Sequence, residues 1–246
     1  VAPGATIGRI DIGDIRTRTF GSLSGSAAAL VDVGAGVGLG ASIARSFRTP
    51  DPNELFSQGP HLASYSYEVG NPDLEAEVEV GAEAFVRLAR ETVAGEAAVF
   101  RNSISGYIYP RNTGRISPTQ LPIYQFVGED AVLTGVEGRA EWVTPIGLVL
   151  DATGSYVRGT LTRTDEPLPL IPPLNGRVDV RYEKPSYFVG LGWRGTAKQD
   201  RLGEFEEPTD GYHLFDAVAG YRWSRMGRIH SLTLRLENLT DTEYRD

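Results

Sequence analysis

Acidic side chains and histidines are the residues of this chain whose types and spacing could do chemistry. Glutamates recur along one face of a single segment, at Glu75, Glu77, Glu79 and Glu83. In an extended strand, residues at this spacing point to the same side. Such a face is typical of a solvated wall, and its electrostatic field could also attract cations.

Motifs for catalysis are absent from the sequence. His61, His213 and His230 lie in no nucleophile-elbow or triad context, and no phosphate-binding G-x-x-x-x-G-K occurs. The chain has no cysteine, which excludes disulfides, thiolate zinc sites, iron–sulfur clusters and cysteine nucleophiles. We therefore expect neither enzymatic activity nor a bound cofactor.

The charge balance bears on the choice of partner. The 246 residues include 24 Lys+Arg and 32 Asp+Glu, a formal net charge of −8. A nucleic-acid-binding domain should carry a basic footprint, so no nucleic-acid partner is expected. At 41% apolar residues, the chain also differs from disordered sequences.

The elements that must position these residues are strands, because apolar and polar residues alternate with a period of two. Between residues 75 and 90, valines and alanines alternate with the glutamates. The segment 93–109 alternates poorly. Turn signals divide the sequence into about ten strands, near residues 18–31, 33–47, 74–90, 93–109, 122–144, 147–163, 174–184, 186–199, 211–223 and 229–240.

The connections between these strands alternate in length. Short turns are expected at Asp32, 91–92, 145–146, Pro185 and 224–228, and long loops at 48–73, 110–121, 164–173 and 200–210. In the first long loop, Asp51-Pro52-Asn53-Glu54 has the composition of a helix start.

Long alternating strands fit a soluble sandwich, a soluble barrel or a transmembrane barrel. Unequal connections favour the last, as do aromatic residues near strand ends, which suit interfacial girdles: Phe47, Tyr107, Tyr109, Trp142, Trp193, Tyr221 and Trp223. The expected fold is all-β, a partial antiparallel meander transmembrane β-barrel. Its lipid side should carry Val78, Val80, Ala82, Val86, Leu232 and Leu234.

One long sequence block carries a family resemblance. Residues 46–77, SFRTPDPNELFSQGPHLASYSYEVGNPDLEAE, resemble a block of TonB-dependent outer-membrane receptors. Further similarities are Gly106-Tyr107-Ile108-Tyr109, Leu121-Pro122-Ile123-Tyr124, Gly135-Val136-Glu137, Ser155-Tyr156-Val157-Arg158, residues 169–173, and Asn238-Leu239-Thr240-Asp241 with Tyr244.

The resemblance implies a location in the bacterial outer membrane and active transport of a scarce metal or metal chelate: a ferric siderophore, haem, cobalamin or zinc. Family members have a plug inside a 22-strand barrel. Residues 1–246 would then be the C-terminal part of that barrel domain, about ten strands without the plug or the final strand. The implied partners are the plug, the TonB energy-transducing complex, membrane lipid and the substrate. The alternatives are a passive porin and a soluble β-rich binding module.

The resemblance also implies roles for three side chains. Two barrel glutamates of this family, one in an E-x-G motif and one in a G-V-E motif, pair with plug arginines, and Glu79 and Glu137 match these motifs. Alternation places both in the lumen. The G-P-H block is most similar to receptors of the zinc-uptake type, which makes His61 a candidate metal ligand that meets substrate in the external loop 48–73.

Overall fold

A continuous antiparallel sheet dominates the fold of the chain. The computed structural model describes residues 15–204 and 206–244. Ten strands follow one another in the sheet in chain order: β1 (Gly25–Gly34), β2 (Val37–Arg48), β5 (Glu77–Ala89), β6 (Val93–Ile116), β7 (Pro122–Val143), β8 (Leu148–Leu161), β9 (Asn175–Glu183), β10 (Tyr187–Thr196), β11 (Tyr212–Arg225) and β12 (Arg228–Leu236). The loop after β2 contains helix α1 (Pro52–Phe56) and the short strands β3 (Gln58–His61) and β4 (Ser66–Val69).

The two ends of the sheet differ in the length of their connections. At one end, short turns join β1 to β2, β5 to β6, β7 to β8, β9 to β10 and β11 to β12. At the other end lie the long loops 49–76, 162–174 and 197–211, together with the extended β6–β7 hairpin. We call these the turn end and the loop end.

Register shows which residues share a face, because directly opposed residues point to the same side. On one face, Val99 of β6 lies opposite Ala84 and Val136, and Val136 lies opposite Tyr156. On the other face, Arg177 of β9 lies opposite Thr153 and Arg194. The first face is apolar and outward, and the second is polar and inward. All six residues expected on the lipid side lie on the apolar face: Val78, Val80, Ala82, Val86, Leu232 and Leu234.

Inward-facing phenylalanines explain part of the glycine content. The rings of Phe85, Phe100 and Phe188 each lie over a glycine directly opposite on the neighbouring strand: Gly40, Gly135 and Gly220. A Cβ atom at any of these glycines would overlap the ring. An aromatic ring over a glycine fills the space that the glycine leaves empty because it has no side chain.

A β-bulge in β6 changes the direction of its side chains. The pairing of β6 with β7 shifts between Ile104 and Tyr107, and Gly106 has φ +70°. An extra residue at this point reverses the alternation. On the turn-end side of the bulge the even-numbered residues of β6 point inward, and on the loop-end side the odd-numbered residues do.

The expectation of ten antiparallel strands is confirmed, and α1 begins where the Asp51 motif predicted. Glu54 and Asp51 form a capping box. Three expected boundaries were wrong. Strand β1 begins at Gly25 rather than near residue 18. The first turn lies at Ala35–Gly36, both with positive φ, rather than at Asp32. The expected loop 110–121 is mostly strand, because β6 continues to Ile116 and pairs with β7.

The girdle assignment of Tyr107 and Tyr109 was also wrong. The bulge turns both residues to the inward side, opposite Glu129 and Val127. Phe47, Trp142, Trp193, Tyr221 and Trp223 lie on the outward face, as expected. In the part of the chain that the structure describes, no helix is long and apolar enough to cross a membrane.

Candidate functional site

Four side chains at the loop end form a charged cluster on the inward side, here called the Glu129 cluster (Tyr109, Arg111, Glu129 and Arg163). The Arg111 Nη2 atom lies 2.5 Å from Glu129 Oε2, and Arg163 Nη2 donates to Oε1 over 2.6 Å. The Tyr109 hydroxyl donates to Oε2 (3.3 Å) and accepts from Arg111. One carboxylate therefore organises two guanidinium groups and a phenol.

Burial and charge fix the protonation states of the Glu129 cluster. Burial raises the pKa of Tyr109 to about 12, against the opposing effect of the nearby Arg111 guanidinium. Burial alone would raise the pKa of Glu129, but the hydrogen bonds from Arg111 and Arg163 outweigh it and lower that pKa. At neutral pH, Glu129 is therefore ionised and Tyr109 is a neutral donor.

A cleft of about 610 Å³ opens beside the Glu129 cluster. The β6–β7 hairpin contributes Tyr109 and Arg111 to its wall, and the loop after β8 contributes Arg163. Tyr109 stacks on Tyr107 with ring centroids 6.1 Å apart, and the Arg111 guanidinium carbon lies 5.3 Å from the Tyr109 ring centroid. Aromatic surface beside guanidinium groups can hold planar or anionic molecules. The remaining lining residues are Asn112, Leu161, Thr164, Glu166, Pro167, Pro169, Leu202, Gly203 and Glu204.

Glu206 connects the two loops that close this cleft. One of its carboxylate oxygens accepts the backbone N–H of Leu170 over 2.7 Å, and the other accepts that of Gly203 over 2.6 Å. In the same loop, Arg201 donates to the Thr160 hydroxyl (2.8 Å) and Glu204 accepts the Asn112 N–H (3.2 Å). The loops 162–174 and 197–211 and the β6–β7 hairpin are thus hydrogen-bonded to one another.

The loop 49–76 is held by a second charged group. Arg48, the last residue of β2, lies 2.9 Å from Glu54 and 2.8 Å from Glu77. Glu77 also accepts the backbone N–H of Ile108, just above the bulge, over 2.6 Å. Arg48 and Glu77 therefore join α1 to the sheet.

Apolar contacts support this arrangement. Leu55 of α1 is buried with Leu74 and Ile108, and Phe56 and Phe126 pack against them. Leu55 is 5% exposed. Ile108 and Phe126 belong to the β6–β7 hairpin, so this cluster lies on the face of the hairpin opposite the Glu129 cluster.

His61 ends β3 and lies on an exposed hairpin. Its Nδ1 atom is 2.8 Å from Ser64 Oγ and 3.1 Å from Glu68 Oε1, and its side chain is 58% exposed. Strand β4 places Glu68 beside Tyr124 of β7 through parallel pairing. Within residues 15–204 and 206–244, no group of three or more histidine and acidic side chains is placed to hold a metal.

Glu79 and Glu137 share the inward face but lie at different heights. Glu79 is opposite Ile104 of β6, whereas Glu137 is opposite Ala98. Six residues separate these positions, which is about 20 Å along a strand. No ion pair joins either carboxylate to another residue in the described part of the chain. The structure therefore does not bring Glu79, Glu137 and His61 together into one site.

The Glu129 cluster was not predicted from the sequence. Its members are up to 54 residues apart and belong to two strands and a loop, so no local motif joins them. One signal could have helped: an isolated glycine in a strand pattern, here Gly106, often marks a bulge. A bulge there would have turned Tyr109 and Arg111 to the inward side.

Inward polar strands, an outward apolar face and long loops at one end define the wall of a membrane β-barrel. A family model described as TonB dependent receptor-like, beta-barrel, matches residues 4–239. The chain belongs to this family.

Solved structures of similar fold support the same architecture. The chain is similar to the copper transporter OprC, with a TM-score of 0.78 and 24% identity over 90% of this chain and 34% of that one. It is also similar to the ferric enterobactin receptor PfeA from Pseudomonas aeruginosa (TM-score 0.68, 21% identity, 89% and 35% covered). The siderophore receptor PirA from Acinetobacter baumannii gives a TM-score of 0.67 and 16% identity, with 89% and 37% covered. The chain spans about a third of the length of these proteins.

Proposed function

We propose that this chain is part of the barrel of a TonB-dependent active transporter in the bacterial outer membrane. The observation that carries the proposal is the two-faced sheet, apolar outward and charged inward, with a cleft among the folded loops at one end. A passive channel has no need for a folded cleft of this kind, although its wall would look similar.

The proposed substrate is a scarce metal or a metal chelate, namely a ferric siderophore, haem, cobalamin or zinc. Similar solved proteins include a copper transporter and receptors for ferric enterobactin and another siderophore, which supports the class without choosing within it. The plug and the TonB complex would be the partners.

Uptake by cells with and without the full-length gene tests this proposal. Under metal limitation, deletion should abolish accumulation of one metal or chelate, and deletion of TonB should have the same effect. Uptake that persists without TonB would indicate a passive porin. A full-length product found in the soluble fraction would support the binding-module alternative instead.

We propose further that Glu79 and Glu137 hold the plug by pairing with its arginines. Because the two carboxylates are about 20 Å apart along the strand direction, they would engage separate arginines. Glu79→Gln with Glu137→Gln in the full-length receptor should reduce uptake and increase hydrogen exchange in the plug. Glu83→Gln is the matched control, because Glu83 lies on the same face of β5. Equal effects in both proteins would show that the two glutamates are ordinary wall residues.

For His61 we propose contact with the substrate, including ligation if that substrate is zinc. Glu68, 3.1 Å from the imidazole, would be the second donor. If the full-length receptor binds zinc, His61→Ala should weaken binding and Glu68→Gln should weaken it less. Leu62→Ala serves as the control, because Leu62 is 74% exposed. Ser64 is unsuitable as a control, because its hydroxyl contacts the imidazole. Wild-type affinity in the His61 variant would remove this residue from the site.

A further inference from the structure

An apolar row crosses the outward face of three neighbouring strands. Val99, Val136 and Tyr156 lie directly opposite one another on β6, β7 and β8. They are 56%, 45% and 43% exposed, so this row has no protein cover in the described structure. This row is part of the outward face, which would contact lipid in the proposed membrane location.

The next outward row toward the loop end carries two arginines. Arg101, Thr134 and Arg158 lie opposite one another on the same three strands. Both arginines are exposed, and neither forms an ion pair with another residue in the described ranges. The acid that follows on this face of β7, Asp130, already accepts the Gly106 N–H over 3.0 Å. Two cations therefore flank Thr134 on this face, and no carboxylate in the described part of the chain is paired with either.

The position of this row along the strands is informative. Near the turn end, Trp142 lies opposite Val93 and Leu150 and marks one aromatic boundary. From Val93 to Arg101 is eight residues of β6, about 27 Å along the strand or about 20 Å along the barrel axis at the usual tilt. The apolar band of such barrels is about 25 Å tall. Arg101 and Arg158 therefore lie about 5 Å short of its opposite boundary, a distance that long arginine side chains span by extending toward the headgroups.

We propose that Arg101 and Arg158 bind the phosphate group of a lipid headgroup in the external leaflet. Guanidinium groups bind phosphate through paired charge-assisted hydrogen bonds. The two Cα atoms are two strand spacings apart, about 10 Å, which lets two long side chains converge on one phosphate. The Thr134 hydroxyl between them adds a donor, and the row of Val99, Val136 and Tyr156 contacts the acyl chains. The inference rests on the membrane location proposed above.

Native mass spectrometry of the full-length receptor in detergent tests this inference, with dioleoyl phosphatidic acid as the probe and dioleoylglycerol as its phosphate-free counterpart. Arg101→Ala with Arg158→Ala should weaken phosphatidic acid binding about 30-fold, since each cation near an anionic lipid surface contributes roughly a five- to sixfold step. The Arg101→Lys, Arg158→Lys protein should retain part of the affinity, because charge remains but the paired geometry is lost. Arg115→Ala, an exposed arginine of the upper hairpin, should bind like wild type.

The outcomes separate this inference from the proposed function. Equal retention of phosphatidic acid by the double alanine variant and wild type would overturn the arginine site. Competition by inorganic phosphate as strong as that by the lipid would also overturn it, because a lipid site needs the acyl chains. Membrane insertion and metal uptake are measured on the same variants, so a failed lipid site leaves the transport proposal intact.

Discussion

Removal of the Glu129 carboxylate should loosen the loop end of the barrel. The Glu129 side chain is 14% exposed and that of Arg111 is 33% exposed, so their contact is partly shielded from water. A hydrogen bond to a charged group in such a place contributes about 1.5–3 kcal/mol. Arg163 is 70% exposed, so its pair with Glu129 adds at most about 1 kcal/mol. Glu129→Ala should therefore cost about 2–3 kcal/mol of local stability.

Hydrogen exchange in the full-length receptor measures this cost directly. A loss of about 2–3 kcal/mol raises the local opening equilibrium about 30- to 150-fold, and the affected amides lie in residues 107–113, 124–129 and 161–169. Glu91→Gln, at a short turn of the opposite end, is the control. Unchanged exchange in the three segments of the Glu129→Ala protein would refute the assignment of Glu129 as the organising residue.

The same interaction has a defined pH dependence. The pKa of Glu129 is lowered in the folded protein. Its contribution is therefore fully present above the ordinary carboxyl range and is lost as the pH falls through the lowered pKa. Protection factors in the three segments, which correct for the intrinsic pH dependence of amide exchange, should thus fall in acid for the wild type, and much less for Glu129→Ala.

Gly70→Ala should displace α1, because a Cβ atom there would lie 2.5 Å from the Leu55 carbonyl carbon. Limited proteolysis should cut the loop 49–76 faster in the Gly70→Ala protein than in the Gly59→Ala control, where the added methyl group meets no atom within 4 Å. Leu168 is 1% exposed, so Leu168→Ala should cost about 2–5 kcal/mol locally, seen as faster exchange in 161–169, whereas Leu170→Ala, at 79% exposure, should change little. The difference in alkaline absorbance titration between wild type and Tyr109→Phe should show a phenol with a pKa of about 12; a transition near pH 10 would contradict its burial.

Much of the barrel wall could be predicted from the sequence, because period-two alternation and turn residues are local signals. The strands near 74–90 and 122–144 were located to within three residues, since valines and alanines alternate there with glutamates and arginines. The segment 93–109 alternated poorly for a physical reason. Its inward face mixes Glu96 with Phe100, a ring that needs the glycine opposite it to find space.

The loop end was harder to predict, since its organisation depends on contacts between distant residues. No local pattern in the segment 110–121 indicates that β6 continues to Ile116, because this part of the strand forms through its pairing with β7. Similarly, the β3–β4 hairpin lies where β4 can pair in parallel with β7, a non-local contact. The inward positions of Glu79 and Glu137 were predictable from alternation alone.

The hydrogen bonds among the loops bear on how binding specificity in such a receptor could be re-engineered. Glu206 accepts N–H groups from Leu170 and from Gly203, and a Cβ atom at Gly203 would lie 2.6 Å from Pro169. A single loop transplanted from a relative would therefore lack the packing surface of the neighbouring loop, and backbone N–H groups such as that of Leu170 would lose their acceptor. Segments 162–174, 197–211 and 105–121 should be exchanged as one cassette, because each supplies contacts that complete the others.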